Sequence, residues 1–170
     1  MIDKIYVISQ KMIDYSNKNM HDINHFLKVF GFAQIIAKNE GLNKEQLNTL
    51  LISALLHDIA CPLCREKYGN TNGVYQEKEG EILAREFLNS PDIKNLSLKK
   101  ETVERAVFIV GHHHSPKASN GLDFDILLEA DFLVNANESN FSSAVIKNAY
   151  NNLFKTKTGK ELLKSMYNIN

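Results

Sequence analysis

The sequence predicts an all-α domain, and three observations lead to that prediction. Apolar residues recur three or four positions apart along almost the whole chain, which is helical spacing. Glycine and proline, which interrupt helices, number only eight and three in 170 residues. No stretch alternates apolar and polar residues with the period of two that marks a half-buried strand. The length suits one domain, and no linker or repeat divides the chain.

Three helices are predicted in the first half of the chain. Gly41 ends the second of them, because glycine is favoured just beyond a helix C-terminus. Asn43 begins the third, and Gln46 three residues later completes the spacing of a capping box. The predicted bounds are about Asp3 to Tyr15, about Asp22 to Asn39, and Asn43 to His57 or Asp58.

A loop containing Pro62 and several glycines and asparagines is predicted after the third helix. Pro91 ends the next helix, and Pro116 lies in a polar loop after the fifth. Thr158 and Glu161 have capping-box spacing, so one or two further helices are expected at the C-terminus. The predicted helices in this half are Gln76 to Leu88, Lys99 to His113, and Asp123 to about Asn137.

Charge and composition argue against several classes of protein. Lys+Arg and Asp+Glu both number 20, so the formal net charge is zero and the basic excess of a nucleic-acid binder is missing. The longest strongly apolar stretch, Leu50 to Leu56, is too short to span a bilayer, and the N-terminus does not read as a secretory signal. Two cysteines provide no disulfide framework. We therefore expect a cytoplasmic protein that binds neither a nucleic-acid polymer nor a membrane.

Metal-ligating residue types interrupt the apolar faces of three predicted helices. The apolar face of the third helix continues at Asp58, which His57 precedes. Asp131 lies on the apolar face of the helix predicted at 123–137, and His25 shares a face with apolar residues of the second helix. A buried, unpaired carboxylate is very costly, so it should be neutralised, paired or bound to a metal. Two carboxylates and two histidines together suit a divalent transition metal.

A structural role is the alternative for each of these residues taken singly. One inward histidine is more often a hydrogen-bonded core residue than a ligand, and Asp58 near a helix end could be a cap or a paired ion. The fifth helix adds His112, His113 and His114, and its inward face extends to His113 and His114, but three successive histidines can also form a solvated turn. The combination of all these residues in a chain with six histidines favours a metal site.

These residues resemble the HD-domain superfamily of metal-dependent phosphohydrolases. That family is named for an adjacent His-Asp pair at the end of an apolar helix. The pattern here is His25 in HDINHFLKV, His57-Asp58 in SALLHDIA and Asp131 in LLEADFLV. The resemblance implies that these four residues ligate one divalent transition metal, which could be Fe, Mn, Ni, Co or Zn, with a second metal as an alternative.

The resemblance also implies the domain organisation. It covers residues 21–137, which would form the motif-bearing core of a helical bundle, while residues 138–170 add C-terminal helices. The whole chain, 1–170, is then a single HD domain. A Gly-Tyr-Pro motif, which characterises the cyclic-dinucleotide branch of the family, does not occur in the sequence.

Some members of the family hold a second metal through further histidines. One of these histidines begins a segment like HPExGAxIL, and Gln76 stands at its position here. Another element is a His-His pair, which His112-His113 match. Gln76, His112 and His113 are therefore candidates for a second metal site or for contacts with phosphate.

The implied activity is hydrolysis of a small phosphorylated metabolite, such as a nucleotide, by a metal-activated water. Asp58 would orient the water in addition to ligating the metal, and His113 would protonate the leaving group. The candidates for substrate binding are Arg65, Lys67, His114 and Lys117.

Two alternatives of other kinds stay open. The domain could be a non-catalytic module that binds metal or nucleotide, or a di-iron oxygenase, which the HD scaffold also supports. Cys61 and Cys64 form a CxxC pair, but a structural zinc site needs about four ligands. A thioredoxin-type role needs a βαβ context, so these cysteines are expected to be ordinary thiols.

Overall fold

The computed structural model describes residues 2–167 and 169, and this part of the chain is helical without strands. The all-α prediction is therefore confirmed. The elements are α1 (Ile2–Tyr15), α2 (Met20–Asn39), α3 (Lys44–Leu56), α4 (Cys61–Tyr68), α5 (Gly73–Leu88), α6 (Pro91–Lys94), α7 (Lys100–Val110), a 3₁₀ turn (Pro116–Ala118), α8 (Leu122–Glu138), α9 (Ser143–Asn152) and α10 (Lys157–Met166).

Local capping signals place the C-terminus of α2 and the N-terminus of α3 as predicted. Gly41, just beyond the end of α2, has a left-handed φ of 73°. Asn43 caps α3, and its capping box with Gln46 is present.

Three features differ from the sequence-based bounds. Helix α4 occupies part of the predicted loop, since Pro62 lies in its first turn, where proline is compatible with a helix. Helix α7 ends at Val110, so the three histidines that follow lie in turns. The cap of α10 is Thr156, which accepts a hydrogen bond from the Gly159 amide, and not Thr158.

Helix α3 is the central element of the bundle, and every residue from Asn48 to Leu56 is buried. It packs against α1, α2, α7 and α8. Leu50 and Ala54 belong to a hydrophobic cluster with residues of α2, α8, α9 and α10, which we call the α8 cluster. Ile52 and Leu55 belong to a second cluster with residues of α1, α5 and α7, the α1 cluster. Helix α3 is thus a wall shared by the two clusters.

The stretch Lys44–Tyr68, which includes α3 and α4, has the length and apolar composition of a membrane span, with a mean hydropathy of 1.5. However, 78% of its apolar window is buried inside the protein. A buried core helix passes the same test, and the packing of α3 on four neighbours is the arrangement of a core helix.

A buried carboxylate ties α10 to α8. Glu129 is fully buried and accepts hydrogen bonds from the backbone amides of Lys155 and Thr156, at 2.6 and 2.8 Å, and from the Thr156 hydroxyl. Burial raises the pKa of the Glu129 carboxyl. Gly159 packs directly on this Glu129–Thr156 clamp, because a Cβ at that position would lie 2.0 Å from Glu129 Oε2.

Candidate metal centre

Two histidines and two carboxylates from α2, the turn after α3, and α8 lie close together, and His25, His57 and Asp58 form a group whose donor atoms lie within 4.8 Å of one another. His25 Nε2 lies 3.1 Å from His57 Nε2 and 3.2 Å from Asp131 Oδ1. Asp58 Oδ2 lies 3.5 Å from His25 Nε2 and 3.7 Å from His57 Nε2. Two ligand atoms about 2.1 Å from one divalent ion lie about 3.0 Å apart in octahedral coordination and about 3.4 Å apart in tetrahedral coordination. The spacing of these donors therefore fits a single divalent ion.

Hydrogen bonds at Nδ1 orient the two imidazole rings. His57 Nδ1 donates to the carbonyl of Ala54 at 3.0 Å, and His25 Nδ1 lies 2.8 Å from Glu138 Oε2. In a neutral imidazole, a proton on Nδ1 leaves the lone pair on Nε2. Both rings therefore present Nε2 to the centre, as a metal ligand must.

Charges around the centre shift the pKa values of its members. Burial lowers the pKa of His25, but Asp131, Asp58 and Glu138 outweigh it and raise the pKa to about 9. Burial also opposes ionisation of Asp58 and Asp131, yet the neighbouring histidines hold both carboxyl pKa values well below their usual range. Near neutral pH the carboxylates are ionised, and His25 carries a proton that a metal must displace.

Metal binding should consequently strengthen as the pH rises. Because the pKa of His25 is about 9, its proton competes with the metal below that pH. We expect the affinity for Mn²⁺ to increase by about tenfold per pH unit from about pH 6 and to level off above about pH 9. Calorimetric titrations at several pH values, in two buffers of different ionisation enthalpy, would measure both the affinity and the released proton. A pH-independent affinity below pH 8 would contradict this prediction.

His113 and His114 lie beside the centre. His113 Nε2 is 3.4 Å from Asp58 Oδ1 without hydrogen-bond geometry, and this buried nitrogen has no other partner among the described residues. Its Nδ1 donates to the carbonyl of Val110 at 2.8 Å. Asp58, His113 and His114 form a second group whose donor atoms lie within 4.8 Å of one another.

His112 does not face this group, although the resemblance matched His112-His113 to the family's histidine pair. Its ring stacks on Phe108 with the centroids 4.3 Å apart, and its Nδ1 donates to the Phe108 carbonyl. His113 and His114 follow the buried Val110 by three and four positions, which is the spacing of one helix face. The two histidines on the metal side are His113 and His114.

The family model of the HD domain matches residues 22–148, well over half of the chain. The chain belongs to the HD-domain family. The fold of this HD domain is similar to the crystal structure of a predicted HD superfamily hydrolase from an uncultured Thermotogales bacterium, with a TM-score of 0.65 and 23% identity. That similarity covers 99% of this chain and 85% of the other. No curated protein matches the chain.

Gln76 closes one wall of the site in this HD domain. Its amide oxygen accepts a hydrogen bond from Cys61 Sγ at 3.2 Å, and its amide nitrogen donates to the Thr71 carbonyl at 2.8 Å. Both the oxygen and the nitrogen of the Gln76 amide are therefore hydrogen-bonded within the protein. Cys61 and Cys64 are buried free thiols, and burial raises the pKa of each, so they stay protonated.

A cleft of about 190 Å³ opens above His25, Asp58 and Asp131. Two of the four predicted substrate-binding residues, Arg65 and His114, line it. Burial and the neighbouring His113 lower the pKa of His114 to about 4, so its ring is neutral at pH 7.

The other two predicted substrate-binding residues are not among those that line the cleft in the described part of the chain. Lys67 pairs with Glu79 at 2.8 Å and lies over the ring of Tyr68. Lys117 is exposed on the 3₁₀ turn. The structure therefore does not bring these two lysines into the candidate site.

Three residues of the site were not predicted. Asp22 forms an ion pair with Arg65 at the cleft wall. Asn135 donates to Asp131 Oδ1 at 2.8 Å, and Glu138 faces His25. Asn135 and Glu138 follow Asp131 by four and seven positions, so all three share one face of α8. That helical spacing is the signal from which the sequence could have identified them.

Proposed function

We propose that this HD domain is a metal-dependent phosphohydrolase that acts on a small phosphorylated metabolite. The observation that carries the proposal is that two imidazole nitrogens lie 3.1 Å apart, each within 3.2 to 3.7 Å of two carboxylate oxygens, beneath an open cleft. A divalent metal held by His25, His57, Asp58 and Asp131 would polarise a phosphoryl oxygen and lower the pKa of water towards neutrality.

Asp58 and His113 are suited to handle the proton of the attacking water and of the leaving group. The ionised Asp58 carboxylate would accept a hydrogen bond from water in the cleft and so would fix its orientation. His113 holds its Nδ1 proton on the Val110 carbonyl, and its buried Nε2, which lies 3.4 Å from Asp58 Oδ1 and outside the cleft lining, would exchange a proton with the cleft through Asp58. Burial opposes protonation of His113, but Asp58 raises its pKa above the ordinary value, as suits a proton donor.

Arg65 is the one arginine or lysine among the described residues that line the cleft. Asp22 holds its guanidinium at the wall, and the remaining N–H groups can donate to a phosphate oxygen. A cleft of about 190 Å³ with one guanidinium suits a compact monophosphate rather than a polyphosphate chain. The proposed partner is a small molecule of this kind, of which a nucleoside monophosphate is one example.

The metal content of protein purified without a nickel column or chelator would test the proposal first. We expect about one equivalent of a divalent transition metal per chain, and phosphate release from small phosphomonoesters when that metal is supplied. No binding of Fe²⁺, Mn²⁺, Ni²⁺, Co²⁺ or Zn²⁺ after reconstitution would contradict the metal centre.

Three further outcomes would change the proposal. Two equivalents would place a second metal at Asp58, His113 and His114. Two irons together with oxygen consumption would favour an oxygenase. Metal without any turnover would favour a binding module.

Replacing Arg65 with alanine should raise the KM for a monophosphate by about 10- to 100-fold and change kcat less, because a charge-assisted hydrogen bond to substrate is lost. Steady-state assays with an aryl phosphate would measure both constants. Lys117→Ala is the matched control, because Lys117 is exposed and lies outside the cleft lining. Equal KM values for Arg65→Ala and the wild type would exclude Arg65 from phosphate binding.

A further inference from the structure

We propose that Glu138 is a positioning residue of the metal centre, which fixes the orientation of His25 and thereby strengthens metal binding. The inference rests on the proposed metal site, not on the identity of the substrate. Glu138 Oε2 lies 2.8 Å from His25 Nδ1, and Glu138 Oε1 accepts a hydrogen bond from Lys28 Nζ at 3.0 Å. The carboxylate is thus held between a ligand ring and a lysine, both of which belong to α2.

Glu138 lies at a helix C-terminus and is mostly shielded from water, and both conditions are unfavourable for a carboxylate. Glu138 is the last residue of α8, where the helix dipole disfavours negative charge, and the last turn of α8 contains no basic residue. Its side chain is also only 17% exposed, so it has lost most of its hydration. The contacts with His25 and Lys28 offset this cost. A residue that contradicts local preference in this way marks a functional site more often than a neutral surface position.

One face of α8 organises the site through three side chains. Asp131 supplies a candidate ligand atom, and Asn135 donates to the Oδ1 atom of Asp131 at 2.8 Å. Glu138, three positions further, contacts the ligand that α2 supplies. Helix α8 therefore sets the direction of its own ligand and of His25.

The physical effect of Glu138 follows from the chemistry of imidazole. A carboxylate at Nδ1 keeps the ring proton there and increases electron density at Nε2, which makes Nε2 a better ligand. It also prevents rotation of the ring away from the centre. Without Glu138, His25 would have to adopt the right tautomer and orientation during each binding event.

The test compares the Mn²⁺ dissociation constants of the wild type and two variants by calorimetry. Glu138→Ala should weaken binding by about 10- to 100-fold, as loss of a partner behind a ligating histidine typically does. Glu138→Gln should weaken it less, because the amide oxygen can still accept from Nδ1 although it lacks charge. Glu101→Ala is the control, because Glu101 is exposed on α7 and outside the cleft, and it should bind like the wild type.

A second readout separates positioning from a merely structural ion pair. The ¹⁵N shifts of the neutral His25 ring in the metal-free protein should report the Nδ1–H tautomer in the wild type and in Glu138→Gln, and a mixture of tautomers in Glu138→Ala. A folded Glu138→Ala variant that binds Mn²⁺ within about twofold of the wild type would overturn the inference. If alanine prevents folding, the nearly isosteric Glu138→Gln decides, and an affinity equal to that of the wild type would overturn it. Failure of the wild type to bind metal would instead contradict the proposed function.

Discussion

Replacing Asp58 with alanine is expected to abolish metal binding and phosphate release together. The Asp58 carboxylate contacts histidines through both of its oxygens. Oδ2 lies 3.5 Å from His25 Nε2, and Oδ1 lies 3.4 Å from His113 Nε2. Its removal leaves the imidazoles facing one another without that charge and deletes one ligand atom. The loss of metal affinity should exceed the roughly 10- to 100-fold that follows removal of an outer partner.

Metal analysis of the purified variant and a phosphate-release assay would measure this effect. Asp92→Ala is a suitable control, because Asp92 is exposed and pairs with Lys11 away from the cleft. Circular dichroism would verify that both variants fold. Retention of about one metal equivalent in Asp58→Ala would exclude Asp58 as a ligand.

The second large effect concerns stability and the C-terminal helix. Gly159→Ala would place a Cβ 2.0 Å from Glu129 Oε2 and 2.8 Å from Thr156 Oγ1. Glu129 cannot withdraw, because it is fully buried and its oxygens accept three hydrogen bonds from Lys155 and Thr156. We expect the variant to lose about 2 to 3 kcal/mol of unfolding free energy, through overpacking and broken hydrogen bonds.

Gly31→Ala should increase the free energy of unfolding, whereas Gly159→Ala should decrease it, so Gly31→Ala serves as the matched control. Gly31 lies inside α2, and a Cβ there would meet nothing within 4 Å. Alanine in a helix interior is more favourable than glycine by about 0.5 to 1 kcal/mol, so this variant should be more stable than the wild type. Urea unfolding followed by circular dichroism would compare the two. A Gly159→Ala protein as stable as the wild type would show that the Glu129–Thr156 clamp is not rigid.

The sequence predicted those features that depend on neighbours along the chain. Asn43 and Gln46 cap α3 as expected, because a capping box is a local structure. Helix α4 is not predicted, because Pro62 among glycines and asparagines indicates a loop, although proline in the first helical turn costs no hydrogen bond. At the C-terminus, Thr156 and Thr158 are both capable caps, and tertiary contact with Glu129 favours Thr156.

For the candidate site too, the sequence predicts some residues, and only the tertiary structure reveals others. Helical periodicity and the family resemblance identified the four residues whose donor atoms the structure brings together, His25, His57, Asp58 and Asp131. Periodicity also placed His113 and His114 on the inward face of the fifth helix, and the structure brings both beside Asp58. His112, which the family resemblance paired with His113, lies against Phe108 instead. The contact of Glu138 with His25 joins residues 113 positions apart, so only the packing of α2 on α8 reveals the pair.

The wall formed by α3 gives the metal centre a mechanical role as well. His57 and Asp58 follow directly from the end of α3, the helix shared by the two hydrophobic clusters. Of the other candidate ligands, His25 comes from α2 and Asp131 from α8. An ion bound by these four residues would cross-link α2, the end of α3 and α8, and at a free concentration of about 100 times its Kd it would add roughly 2.7 kcal/mol to the free energy of unfolding. Chelation would then remove this cross-link while leaving the hydrophobic packing of both clusters in place.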